Sequence, residues 1–274
     1  MKSTATLILN RNLPKPTDEL FLRIKKYNSK FTDVFVIDSG SDKKLMSKYT
    51  NFKANWPKAK KQGLRFARGM NFGLHSLYQK NKFKKYEYFL LLTNDSIVEK
   101  KPFIKRLQNI MKRNKFIGLL SPCSKKWGEK LMLKKDKLKC FWYIHNNAYF
   151  VRRELIEDIL NLSKPGYMNF LFDGKNFRGY GLESELISKA YLNNWAAAIT
   201  SEVWIEENES YLLKKNQLIK TEPYDHNLKL YIKEGLKWMH DKYGFKSKWS
   251  MQMYVKMFYD RFFEINPELK KYKI

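Results

Sequence analysis

Apolar runs of strand length alternate along the chain with segments whose apolar residues recur every three or four positions. Thr4 to Leu9 is such a run, closed by the polar stretch 10–14. Leu20, Ile24 and Tyr27 then share one helical face, with Thr17 and Asp18 placed to cap it. A strand over Asp33 to Ile37 and a weaker one over 51–55 precede a helix from Gly63 to Tyr78, where Phe66, Met70, Leu74 and Leu77 keep helical spacing. Tyr88 to Leu92 is apolar without alternation, as suits a strand covered on both faces. It breaks into Thr93, Asn94, Asp95 and Ser96, then returns to Ile97 and Val98. Pro102 opens a helix to Arg113. Next come a strand from Ile117 to Leu120, a lysine-rich loop to Lys139, strands over 140–144 and 147–151, and a helix over 153–162. A loop rich in Gly, Phe and Tyr (165–181) leads to a helix over 182–194 and a strand over 197–203. Two aromatic, basic helices over 228–243 and 249–263 follow. This order predicts an α/β fold with a mostly parallel central sheet flanked by helices. It divides the chain into a main domain, 1–210, and a helical C-terminal extension, 211–274, packed on or beside it.

Three of the apolar runs end in carboxylates or amides: Asn10 with Asn12, Asp38 with Ser41 and Asp42, and Asn94 with Asp95. In a parallel sheet such ends share one rim, where open α/β folds bind ligands. Acceptors there can hydrogen-bond a base and ribose and hold a cation against phosphates. The plain alternative for Asn94 and Asp95 is an Asx turn closing a strand. Neither a G-x-x-x-x-G-K-[ST] loop nor a G-x-G-x-x-G turn is present, which disfavours a P-loop ATPase and a dinucleotide oxidoreductase.

Composition adds a partner question. With 43% hydrophobic and 16% aromatic residues the chain has ample material for a core. Two cysteines, Cys123 and Cys140, give no disulfide framework. The apolar start is too short for a signal peptide and no window has the length of a membrane span, so a cytoplasmic, at most membrane-peripheral protein is expected. The net charge of +27 attracts polyanions. It is densest from Lys100 to Lys139, where fourteen Lys or Arg face Glu129 and Asp136 alone. A merely solvated basic face is the ordinary meaning of such a run.

Five segments, in order, resemble the family 2 glycosyltransferases: Leu7 to Asn10; Val36 to Asp42; Gly63 to Asn71; Leu90 to Asp95; and Gly179 to Leu186. The resemblance covers roughly residues 4–210. It implies the GT-A fold and transfer of a sugar from a nucleotide diphosphate donor to an acceptor hydroxyl on a glycan or glycoconjugate, with inversion through a carboxylate base. Asp38 then matches the base-binding aspartate, with Ser41 and Asp42 in the same loop and Asn10 on the neighbouring strand end. Gly63, Arg65 and Asn71 match the helix beside ribose and phosphates. Thr93, Asn94 and Asp95 stand at the D-x-D motif, with Asp95 as metal ligand and Thr93 where the first acid often stands. The implied cofactor is a divalent cation, Mn2+ or Mg2+. Glu183 matches the catalytic base; Leu182 stands at the acid before it. Glu185, two positions on, points away from it on a helix. Both glutamates also suit simple first-turn stabilisation.

The pattern departs from the family where Ile205 replaces a histidine ligand after the last strand; Glu206 or Glu207 are the nearest substitutes. Arg65, Arg68 and Arg178 are candidate cations for the leaving group, and His145 a candidate donor-site residue. The basic loop and aromatic tail point to a glycan or lipid-linked glycan acceptor, or to an anionic membrane. Two other classes compete. One is a nucleic-acid-binding protein, disfavoured by the acidic strand ends and the absence of a known module. The other is a non-catalytic glycosyltransferase-like scaffold.

Overall fold

The computed structural model describes residues 2–126, 128–144, 148–160, 165–208 and 224–274. Four parallel strands form its first half: β1 (Thr4–Asn10), β2 (Thr32–Asp38), β3 (Thr50–Lys53) and β4 (Tyr88–Thr93). All seven residues of β1 are buried, because α1 (Pro14–Asn28) and α3 (Arg65–Gln79) both pack on β1 and β2. Register aligns the strand ends. Asn10 lies opposite Asp38, and Leu9 opposite Thr93, so these strands finish together on one rim.

The other half is mixed. It holds β5 (Ser96–Val98), β6 (Ile117–Cys123), β7 (Leu138–Cys140), β8 (Tyr149–Arg152) and β9 (Ala196–Glu207). Among the described residues the sheet order is β3-β2-β1-β4-β8-β6-β9-β5, with β7 paired to β9 off that path. β8 runs antiparallel to β4 with Tyr149 opposite Leu91, which brings the start of β8 toward the rim where β4 ends. β9 is parallel to β6 in its first part and antiparallel to β5 in its last, with Glu207 opposite Ser96. That second pairing carries it past Val203, where the apolar run alone would end it.

Other expectations shift for local reasons. The first helix starts at Pro14, whose fixed φ suits a first turn, and Thr17 is no cap. Its hydroxyl instead donates to Asn10 Oδ1 at 2.9 Å. A short helix, α2 (Pro57–Gln62), precedes α3 and is not expected from its lysine-rich sequence. Within the stretch expected to be loop, α5 (Glu129–Leu133) forms and β7 begins, displacing the strand expected over 140–144. His145 and the tryptophan at 127 lie outside the described residues, as does most of the expected domain boundary. The remaining helices are α4 (Phe103–Arg113), α6 (Arg153–Ile159), α7 (Leu182–Leu192), α8 (Tyr224–Tyr243) and α9 (Lys248–Ile265).

The C-terminal helices are built into the body of the molecule. Val255, Tyr259, Phe262 and Phe263 of α9 join the main core, and the Tyr259 hydroxyl donates to the Cys140 carbonyl at 3.3 Å. Trp238, Met239 and Met251 make a second, smaller core under Tyr180. Both cysteines are buried free thiols.

Candidate active site

Asp38 is fully buried at the end of β2, and its Oδ1 accepts the backbone N–H groups of Gly40 and Ser41 at 3.2 and 3.0 Å. Gly40 must be glycine: its φ is +81°, and a Cβ would stand 2.1 Å from the Ala59 carbonyl oxygen. Asn10 donates to Asp38 Oδ2 at 3.4 Å, while its own Oδ1 accepts Asn94 Nδ2 at 3.3 Å. The ends of β1, β2 and β4 are thereby wired together. Ser41 Oγ accepts the Asn12 N–H, and Asn12 Oδ1 accepts the Asp42 N–H. Gly63 faces Arg11, whose guanidinium would be 1.8 Å from a Cβ there. Arg11 donates to carbonyls of Ser39, Ala59 and Lys61, tying the 39–42 loop to α2. Burial lowers its pKa, against the pull of Asp42 and Asp38. Arg11 is absent from the residues expected at the site, since nothing in a lone arginine marks it in sequence as a loop clamp.

Asp95 sits in the turn between β4 and β5, beside a cavity of about 250 Å³ also lined by Asn94, Ser96, Asn208 and, from α1, Glu19 and Arg23. Its carboxyl is buried although the residue as a whole is half-buried, and burial pushes its pKa up despite hydrogen bonding from Thr93. Asp95 Oδ1 has no hydrogen-bond partner among the described residues. Neither do three or more His, Cys, Asp or Glu side chains cluster there to hold a metal, again among the described residues. The residues fit a lesser role: Mg2+-type ions are commonly held by one or two carboxylates together with substrate phosphates. Glu206 does not supply a second ligand, because its carboxylate accepts the Ser124 hydroxyl and the Lys125 N–H.

Asn71, expected beside ribose and phosphates, has its amide fully engaged elsewhere. Its Nδ2 donates to the carbonyls of Tyr167 and Phe172, and its Oδ1 accepts the N–H groups of Leu171 and Phe172. It clamps the 167–172 loop to α3, so it acts on any ligand only through that loop. The candidate arginines converge on one ring: Arg65, Arg68 and Arg178 lie 5.6, 4.6 and 5.5 Å from the centre of Phe177. Arg68 donates to the Gly174 carbonyl, and Arg178 pairs with Glu234 of α8. Those two therefore brace the loop and the tail helices.

Glu183 lies buried in the first turn of α7, behind Gly181, whose φ of +86° and contact with Met239 exclude a side chain. Lys248 Nζ is 2.7 Å from Glu183 Oε1. Burial works against the charge on Lys248, but Glu183 outweighs it and raises the lysine pKa. Fully buried Tyr149 has its pKa raised well above the ordinary value by burial and then by the charge of Glu183; its hydroxyl has no partner among the described residues. Glu185 points elsewhere, as helical geometry requires, to Lys242 Nζ and the Tyr243 hydroxyl at 2.6 Å each. A largely apolar cleft of about 570 Å³, lined by Glu129, Met132, Trp142, Tyr143, Lys248 and Trp249, is linked to Glu183 through Lys248. Neither Lys248 nor the cleft carries a sequence motif; both arise from docking of the tail.

The mostly parallel sheet flanked by helices, with amides and carboxylates at its strand ends, matches the GT-A fold of nucleotide-sugar glycosyltransferases. The chain is similar to GalNAc-T7, crystallised with UDP, GalNAc and Mn2+, at a TM-score of 0.56 and 11% identity, over 76% of this chain and 44% of that one. It is also similar to TarS of S. aureus, at 0.55 and 13%, over 88% and 74%. A third similar structure is the mannosyltransferase PcManGT of Pyrobaculum calidifontis with GDP-Man and Mn2+, at 0.50 and 14%, over 74% and 56%. The chain thus spans less than half of the GalNAc-T7 chain. At these identities the likeness establishes the fold. No family model and no curated protein matches the sequence.

Proposed function

We propose that the protein is a glycosyltransferase that moves a sugar from a nucleoside diphosphate donor to an acceptor hydroxyl. The observation that carries this reading is the rim itself, where Asn10 joins Asp38 to Asn94 beside Asp95 within a GT-A fold. Two similar proteins were crystallised with Mn2+ and either UDP or GDP-Man, which supports a donor of that class. Asp38 and the 39–42 loop would take the nucleoside, with Gly63 and Arg65 beside it. Thr93, Asn94 and Asp95 would face the diphosphate. A divalent cation bound through Asp95 would supply positive charge against the departing diphosphate.

Glu183 is assigned the base. Its carboxylate takes the acceptor hydroxyl's proton as that oxygen bonds to the anomeric carbon and the bond to the nucleoside diphosphate breaks, inverting that centre. Lys248 engages Oε1, which leaves the second oxygen, Oε2, as the one to receive the proton. Burial of the site strengthens these charge interactions. Glu183→Gln tests the assignment: donor binding should persist while sugar transfer falls by about 10²–10⁴-fold, measured as nucleoside diphosphate release with acceptor present. Transfer at the wild-type rate in that variant would remove Glu183 from the role.

A further inference from the structure

The cleft that Lys248 links to Glu183 opens into a patch that a protein in water has little reason to keep. Trp249, Met253 and Met257 recur every four residues along α9, on one face, and are 73, 47 and 51% exposed. Met132 and Trp249 line the same cleft, so α5 and the start of α9 are neighbours. Leu131, beside Met132, is 79% exposed, the most exposed large apolar side chain among the described residues. Met132 and Trp249 thus border the cleft, while Met253 and Met257 carry the apolar stripe along α9 into a neighbouring hollow that also holds Lys256, Asp260, Arg261 and Glu264. Single exposed apolar residues are ordinary, but a contiguous group marks a contact surface.

The charge around this group selects the partner. Lys125, Lys126, Lys130, Lys134, Lys135 and Lys137 flank α5 and are all exposed, with Asp136 the exposed acid among them. Glu129, the other acid of the segment, is buried. Apolar side chains that include a tryptophan, with lysines along α5 and balanced charges (Lys256, Arg261, Asp260, Glu264) beside Met253 and Met257, match an anionic bilayer surface: the chains enter the headgroup boundary and the α5 lysines meet lipid phosphates. No helix among the described residues is long and apolar enough to cross a membrane, so any such contact through them is peripheral.

We propose that α5 and the exposed face of α9 dock the protein on an anionic membrane. Resting on the activity proposed above, this orientation also turns the cleft toward the bilayer, so that the acceptor class is a glycan carried on a lipid. Lys248 both lines that cleft and contacts Glu183, which joins the docked face to the proposed base.

The test is vesicle co-sedimentation of the full chain, with phosphatidylcholine alone and with phosphatidylcholine mixed with phosphatidylglycerol. Binding is expected to the mixed vesicles only and to weaken with salt. A Trp249→Ser/Met253→Ser/Met257→Ser variant and a Lys125→Glu/Lys130→Glu/Lys134→Glu/Lys135→Glu variant should each bind the mixed vesicles more than about tenfold more weakly. Both should keep the wild-type melting temperature, since all seven side chains are at the surface. Equal binding to both vesicle types would overturn the proposal, as would full binding by the serine variant. So would self-association through the stripe, seen by light scattering, without lipid binding. Because the readout is lipid binding, loss of the glycosyltransferase reading through absent donor turnover would leave the docking result standing, and the reverse.

Discussion

At the scale of single residues, Asn10 gathers the rim around itself. Its amide receives the hydroxyl of Thr17, the N–H of Leu13 and the amide of Asn94, and it donates to Asp38. Asp38 in turn holds the backbone N–H groups of Gly40 and Ser41. Asp38→Ala should therefore cost about 1–3 kcal/mol of stability in urea unfolding, and nucleoside diphosphate binding should fall with it. Asp95 behaves in the opposite way. Its folded pKa is raised by burial, so the folded state holds its proton more tightly and stability declines as pH rises through that value. Asp95→Asn should then raise the melting temperature of the ligand-free protein at neutral pH while abolishing any Mn2+-dependent gain from a nucleotide. A carboxylate kept where it destabilises the fold is one kept for binding; a neutral or lowered melting temperature in Asp95→Asn would deny that.

At the scale of elements, α7 is held from behind by the tail. Lys242 of α8 contacts Asp173 and Glu185, and Lys248 of α9 contacts Glu183. Burial disfavours charge on Lys242, yet Glu185 and Asp173 raise its pKa. The contribution of such a lysine is complete below its unfolded value near 10.5 and is lost as pH rises through the raised one. Asp173, burial notwithstanding, is lowered by Lys242 and Trp238, so its share is present above 3.8 and lost as pH falls through the lower folded value. Tail docking should thus hold between these limits, and Lys242→Met should cost about 1–2 kcal/mol and remove the alkaline part of the transition, followed by the near-ultraviolet dichroism of Trp238. Most of these elements are legible in sequence. The runs of β1, β2 and β4 and the spacing of α3 carry their own signal, because their burial is fixed by period alone. The 138–140 strand and the end of β9 are not legible, since each exists through pairing with residues distant in the chain, and α5 packs against β9. Asn71 shows the same limit at the site: its position in the motif is evident, while its use as a loop clamp depends on a segment about a hundred residues away.

At the scale of the whole molecule, the fold survives with 11–14% identity to similar structures. That is expected when a parallel sheet needs only apolar strands in register and the chemistry needs only a few side chains on its rim. The strand ends are readable for that chemistry because a parallel sheet sorts them to one edge. Lys248 and the 570 Å³ cleft are not, because they come from the packing of a tail whose sequence reads only as basic and aromatic. The charge of +27 belongs to this scale as well. It should speed the arrival of anionic donors, and nucleotide association rates should fall steeply with ionic strength in stopped-flow measurements. A rim of this kind must bind a nucleoside diphosphate if the protein transfers sugars. Thermal denaturation with UDP, GDP, ADP and CDP, each with and without Mn2+, tests it most directly. At a ligand concentration about a hundredfold above Kd, one of them should stabilise the wild-type protein by about 2.7 kcal/mol and leave Asp38→Ala unmoved. A wild-type melting temperature unchanged by all four nucleotides would mean that the rim binds no nucleoside diphosphate.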